Sequence, residues 1–254
     1  MRWSEGICVL EGPDLIGAAL GSDVEFEALY VDVSEVDHPE IAPTITRATR
    51  AGVRVFGLAQ GVLEKAADAN TPQPLLGAVR FPITEVTSIA AQGLILVLHN
   101  VRDPGNAGTI IRSADAAGVT AVIFTGQSVD PFNAKTLRAT AGSIFHLPIA
   151  VSSLDETIGH FAASGAQIVA TVVRGGLDHR SVDFSKSSVV VIGNEASGLD
   201  DDTIARCQVA LSIPMAGRNE SLNAGVAASL IAFEALWQRQ GANSSSPPPS
   251  LTGT

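Results

Sequence analysis

The sequence predicts an α/β protein built as two units, a small one over residues 1–82 and a larger parallel-sheet unit over residues 94–240. Three observations carry that prediction. From Leu94 onward, uninterrupted apolar runs alternate with helical stretches, as strands buried on both faces of a parallel sheet do. Three stretches of this half, Asn100–Arg112, Ile192–Gly198 and Ile213–Asn223, join an apolar strand to a polar, glycine-bearing loop. The first 82 residues alternate shorter strands and helices, and a stretch without sustained period, Phe81–Gly93, separates them from the rest.

Taken in order, Ile7–Leu10 reads as a strand and Pro13–Leu20 as the helix after it. Ala28–Asp32 is strand-like, Ile41–Arg50 is a helix ended by Gly52, and Val53–Gly57 alternates as a strand. A short helix over Val62–Ala67 and a strand over Leu75–Val79 complete the small unit, and residues 83–93 form the linker. The larger unit has strands at Leu94–Leu98, Ala121–Phe124, Gln167–Val173, Val189–Ile192 and Val209–Ile213. A helix over Ala107–Ala117 is expected with Asn106 as its N-cap and Gly118 as its stop. Ser221–Gln240, rich in Ala and Leu, is the longest helical pattern, and the Ser- and Pro-rich residues 241–254 are expected to be disordered.

Composition bounds the function. The chain has 254 residues, 46% hydrophobic and 17% charged, enough to bury a core. No apolar run reaches the roughly 20 residues of a membrane span, and Met1–Gly6 lacks the pattern of a signal peptide, so a cytoplasmic protein is expected. Cys8 and Cys207 sit far apart in apolar surroundings and read as buried, reduced thiols. The five histidines make no ligand pattern, so no metal is expected. Net charge is -10, with 6 basic against 13 acidic side chains in residues 1–90 and 10 against 13 in the remainder. That balance argues against broad, nonspecific RNA affinity and leaves a local basic cleft as the route to RNA. Its candidates are Arg102, Arg112, Lys135, Arg138, Arg174 and Arg218.

Ligands of open α/β sheets bind beyond the strand ends, so the three loops suggest one composite site. Arg112 is either a surface residue of an amphipathic helix or a guanidinium at the mouth of the site, suited to a phosphate or carboxylate. Glu195 is either a helix-start acid or a carboxylate that orients Arg112. Gly193 leaves room for a ligand to approach the backbone. Ser221 and Asn223 are either caps or polar groups around Leu222, above an apolar floor at Ile213–Met215 that suits a flat heteroaromatic ligand. The glycine fingerprints of dinucleotide enzymes, P-loop NTPases and serine hydrolases are missing.

In order and spacing, these stretches resemble the three signature motifs of the SpoU/TrmH family of SPOUT methyltransferases: Asn100–Ala117, Ile192–Leu199 and Ile213–Ala228. Val9–Gly12, Val55–Ala59 and Thr71–Gln73 resemble, more loosely, the small substrate-binding domain that often precedes it. The resemblance implies a SPOUT domain with a deep trefoil knot, S-adenosyl-L-methionine as cofactor, and methyl transfer to a ribose 2′-hydroxyl of RNA, ribosomal RNA ahead of transfer RNA. It implies cofactor contacts from Gly193, Ile213 and Leu222, with Thr171 added, and catalytic or RNA-contacting roles for Asn106, Arg112, Glu195, Ser221 and Asn223. It also implies a homodimer in which Asn106 and Arg112 complete the partner's site. The alternative is a catalytically silent knotted protein that binds RNA or the ribosome.

Overall fold

The computed structural model describes residues 6–63 and 73–243. Its first sheet contains β1 (Ile7–Glu11), β2 (Phe26–Asp32), β3 (Val55–Leu58) and β4 (Leu75–Arg80), in the order β1-β4-β2-β3. β4 runs antiparallel to both neighbours, whereas β2 and β3 are parallel. α1 (Pro13–Ala19) and α2 (Ala42–Arg50) both take a proline in the first turn, where the missing N–H costs nothing. The expected helix over Val62–Ala67 lies outside the described residues from position 64 onward.

The second sheet has seven strands, all parallel, in the order β7-β6-β5-β10-β8-β11-β9. They are β5 (Leu94–His99), β6 (Ala121–Thr125), β7 (Ile149–Ser152), β8 (Gln167–Thr171), β9 (Leu177–Asp178), β10 (Ser188–Ile192) and β11 (Val209–Ser212). Every residue of β6 and β10 is buried, as their unbroken apolarity predicts. Helices α3 (Pro104–Ala116), α4 (Ala134–Thr140), α5 (Leu154–Ala163), α6 (Asp201–Ala205) and α7 (Ala224–Asn243) cover the sheet. α4, α5, α6, β7 and β9 are additions to the elements expected from periodicity.

Several boundaries differ from expectation by a few residues, and those of α3 and α7 bear on the site. α3 starts at Pro104, and Asp103 is its N-cap, accepting from the Asn106 N–H at 2.7 Å. Asn106 therefore sits inside the first turn, buried. α7 starts at Ala224, because Asn223 Oδ1 accepts from the N–H groups of Gly225 (2.9 Å) and Val226 (3.2 Å) and so caps the helix. It also continues to Asn243, three residues into the expected tail, whose remainder lies outside the described residues.

The two sheets share one connected apolar core. Phe81 stacks on Phe132 with ring centroids 4.8 Å apart, and Arg138 of α4 pairs with Glu11 of β1 at 3.0 Å. Within residues 83–93, Val86 and Ile89 are buried, and Ile83 bridges to Ile149. Cys8 is buried and Cys207 partly so.

Small residues let α3 contact α4 and α7 closely. A Cβ on Gly108 would overlap Ala139, and one on Gly225 would lie 3.1 Å from Thr109. Ser113 and Ser229 share a hydroxyl hydrogen bond of 2.6 Å between α3 and α7. Replacing Gly108 with Ala is expected to lower the unfolding free energy by about 1–3 kcal/mol, the usual cost of overpacking. Urea denaturation is the check, and an unchanged midpoint would show that α4 yields freely.

Candidate functional site

The strand order explains why the three loops meet. β5, β10, β8 and β11 are consecutive parallel neighbours, so their C-terminal ends lie along one edge. The loops after β8, β10 and β11 close around a cavity of about 270 Å³. Its walls include Thr171, Gly193, Leu199, Ile213, Leu222 and Ile231. All four residues expected to hold the cofactor line this one space. Leu199 and Ile231 join them from outside the expected set, and only their apolarity near a strand end or on α7 could have marked them.

Two local arrangements shape the cavity. Gly193 is required by the chain's own packing: a Cβ there would come within 2.5 Å of the Gly198 carbonyl carbon and 2.6 Å of the Leu199 nitrogen. The close approach expected of a ligand is thus made by the returning loop. Residues 214–222 make no backbone–backbone hydrogen bond among the described residues, so their N–H and C=O groups remain available along the cavity rim. Thr171 lines the wall with its hydroxyl donated to the Val191 carbonyl (2.9 Å).

At the rim, one chain of hydrogen bonds links all three stretches. Asn106 Nδ2 donates to Glu195 Oε1 at 3.0 Å, and Asn223 Nδ2 donates to Asn106 Oδ1 at 2.6 Å. Glu195 also accepts from the backbone N–H groups of Arg102 (3.3 Å) and Asp103 (3.2 Å). Partial burial works to raise its pKa, yet these bonds to Asn106, Asp103 and Arg102 together hold it below the ordinary carboxylate range. Glu195 therefore serves the start of α3, and no bond joins it to Arg112. Asn106, Glu195 and Asn223 are brought together within one chain. Ser221 lies exposed on the cavity wall, and Arg112 is exposed on α3.

Two further asparagines belong to this network. Asn194 Nδ2 donates to the Asn100 carbonyl (2.8 Å), and Asn194 Oδ1 accepts from the N–H groups of Ala196 (2.9 Å) and Ser197 (3.2 Å). The signal for both was an asparagine within two residues of the end of a strand. Of the basic candidates, Arg138 pairs with Glu11, Arg174 with Glu220 at 3.1 Å, and Arg102 bonds Gln127 at 2.8 Å. Among the described residues no three His, Cys, Asp or Glu side chains gather as metal ligands, and no helix is long and apolar enough to cross a membrane.

An all-parallel sheet with an apolar, backbone-rimmed cleft at its strand ends defines an α/β protein with space for a small ligand beyond its strands. The model of the SpoU rRNA Methylase family matches residues 93–233, and the chain belongs to that family. Over 225 residues it is 29% identical to the 23S rRNA (guanosine(2553)-2'-O)-methyltransferase RlmP of Bacillus subtilis, covering 89% of this chain and 86% of the relative. It is 34% identical over 193 residues to the 23S rRNA (uridine(2479)-2'-O)-methyltransferase of Streptomyces viridochromogenes, covering 72% and 67%. Among solved structures, the AdoMet-bound rRNA methyltransferase from Sinorhizobium meliloti superposes with TM-score 0.81 at 33% identity, over 92% of this chain and 88% of that one. The SpoU methyltransferase AviRb from Streptomyces viridochromogenes with AdoMet superposes with TM-score 0.84 at 29% identity, over 94% and 92%.

The Glu195 bonds carry a pH dependence. A carboxylate held below its ordinary 4.5 stabilises the fold fully above that value and loses the contribution as pH falls through its folded-state pKa. Glu195→Gln is expected to cost about 1 kcal/mol or less at neutral pH, given its exposure to solvent. Urea unfolding of the two proteins should show this gap closing on acidification, and a gap that widens would contradict the assignment.

Proposed function

We propose that this protein transfers a methyl group from S-adenosyl-L-methionine to a ribose 2′-hydroxyl of 23S ribosomal RNA. The observation that carries the reading is a cleft lined by the second and third family stretches, to which the Glu195–Asn106–Asn223 chain ties the first. The cleft suits the cofactor's nucleoside. Ile213, Leu222 and Ile231 offer aliphatic faces to a flat ring, and the unpaired backbone of residues 214–222 offers donors and acceptors to its edges. When bound, the cofactor supplies an electrophilic methyl on a sulfonium centre.

The remaining work falls to the chain. A 2′-hydroxyl is a weak nucleophile, so it must be held in line while its proton leaves. Arg112 holds the hydroxyl and its neighbouring phosphate. A guanidinium with pKa above about 12 serves better as a positioner than as a base. Asn106 and Asn223 keep the two loops that flank the ribose in register, anchored on Glu195, and Ser221 lies on the cavity wall beside them. The alternative of a silent RNA-binding relative is not favoured, because Asn106, Arg112, Glu195 and Asn223 are all present.

The same reading extends to the assembly. Arg112 makes no hydrogen bond or ion pair among the described residues, which suits a guanidinium that completes the site of a second copy. On α7, Val226, Leu230 and Trp237 are 46%, 40% and 59% exposed and share one helical face, a surface fit for a two-fold dimer. A trefoil knot is supported by the strand order, with β10 set between β5 and β8, and by Gly176, where a Cβ would lie 2.6 Å from the Leu211 carbonyl carbon. Residues 1–82 would act as the substrate-binding unit, 83–93 as its connection, and 94–240 as the methyltransferase unit. The cytoplasm, where ribosomes are assembled, is the expected site of action.

Arg112→Ala is expected to lower tritiated methyl transfer to 23S rRNA by about a hundredfold or more while calorimetry shows cofactor affinity little changed. Full activity in that variant would sink the mechanism. For the dimer, Trp237→Glu should convert a two-chain mass into a one-chain mass in light scattering. A wild-type protein that already runs as one chain would refute that assembly.

A further inference from the structure

Beside the cleft, the end of β5 carries a set of hydrogen bonds whose direction the backbone dictates. Asn100 follows the strand with φ of 60°, a left-handed conformation that needs support from its surroundings. Its Oδ1 accepts from the Gln127 N–H at 2.7 Å. A backbone N–H can only donate, so this bond fixes which end of the amide is oxygen. The amide nitrogen therefore faces His99 Nε2 at 3.0 Å. An amide NH2 can only donate as well, so Nε2 must offer a lone pair. The ring proton is then on Nδ1, which donates to Thr125 Oγ1 at 2.9 Å, and Thr125 donates on to the Leu98 carbonyl at 3.4 Å. Gly126 lies against this group, and a Cβ there would overlap Asn100 Oδ1.

Asn100 links this group to the site. Its carbonyl receives Asn194 Nδ2, whose own oxygen holds the loop at Ala196 and Ser197. Two residues beyond Asn100 begin the N–H groups that bind Glu195.

We propose that His99 is a positioning residue: its neutral, Nδ1-protonated ring locks Asn100, and protonation of the ring releases the lock and disorders the catalytic loops. A proton on Nε2 would set two donors face to face. Relief requires the Asn100 amide to turn, which forfeits its bond from Gln127. Charged groups act on the ring from α6: Asp200 at its start favours the cation, and Arg206 at its end, itself paired with Asp155 at 2.7 Å, opposes it. Partial burial, the largest influence, also opposes the cation and holds the ring below the ordinary histidine value. A histidine depressed in this way stabilises the fold fully above its unfolded value, and that contribution is lost as pH falls through the folded one.

The effect on catalysis rests on the methyl-transfer reading, whereas the tautomer does not. Long-range proton–nitrogen NMR of the full chain labelled with 15N-histidine reads the tautomer, with His99 assigned by its absence in His99→Gln. Near pH 8 the expected state is a protonated Nδ1 and a bare Nε2, and a protonated Nε2 would overturn the lock. Methyl transfer from S-adenosylmethionine to in-vitro-transcribed 23S rRNA is then followed against pH. Its rate should halve, roughly, at the His99 midpoint seen by NMR. His99→Gln, which can accept from Asn100 without titrating, should lack that limb, and an identical limb in both proteins would overturn the positioning role. If no methyl transfer is found, the proposed function falls, and the tautomer and its midpoint still decide the lock.

Discussion

The bonds that gather at the Glu195 carboxylate are the interaction on which the site depends. One side chain receives the Asn106 amide and the backbone N–H groups that lead into α3. Asn106 in turn receives Asn223, which caps α7. A change of a few tenths of an ångström at any link would pass to the others, because each amide uses one end as donor and the other as acceptor. An ionised carboxylate suits the centre of this arrangement, since bonds to a charged acceptor are shorter and stronger than neutral ones. Two helices and three loops therefore share a common reference point at the mouth of the cleft.

Close packing behind the rim gives that reference point something rigid to stand on. Gly108, Gly193 and Gly225 each lie where a side chain would meet a neighbouring helix or loop, and the Ser113–Ser229 bond joins the two long helices. Backbones that approach this closely leave few alternative arrangements, because interiors at crystal-like density do not deform smoothly. By contrast, the segment 214–222 on the cleft's other side has no backbone partner of its own among the described residues. The site pairs a closely packed wall, which holds the polar groups, with a wall whose backbone groups are open to solvent.

Charge distributes the roles of the two sheets. Acidic side chains concentrate in the first third of the chain, and Glu11 of β1 there takes up Arg138 of α4. One of the basic candidates for RNA contact is thus neutralised by the neighbouring sheet, and Arg174 is likewise paired with Glu220. Arg112, Lys135 and Arg218 keep their charges exposed and without partners among the described residues. RNA contact by a few such groups, in place of a broad basic face, agrees with a protein of net charge -10.

Strand positions in the second sheet were legible because β5, β6 and β10 are buried on both faces and can tolerate only apolar side chains. The three loops were legible because glycine, asparagine and proline at strand ends have few other reasons to occur together. The shortest strand was not: β9 spans two residues, too few for a period to register. Nor could the sequence choose between the two roles open to Asn106 and Glu195, since a cap is defined by which oxygen reaches which N–H. Asp103 won that place on α3 because Pro104 starts the first turn three residues earlier. Local chemistry by itself determined which residues are apolar strands and which are polar strand ends. Tertiary structure decided the order β5-β10-β8-β11 and thereby which ends meet, because strand neighbours are selected by contacts across the whole chain that no local window contains.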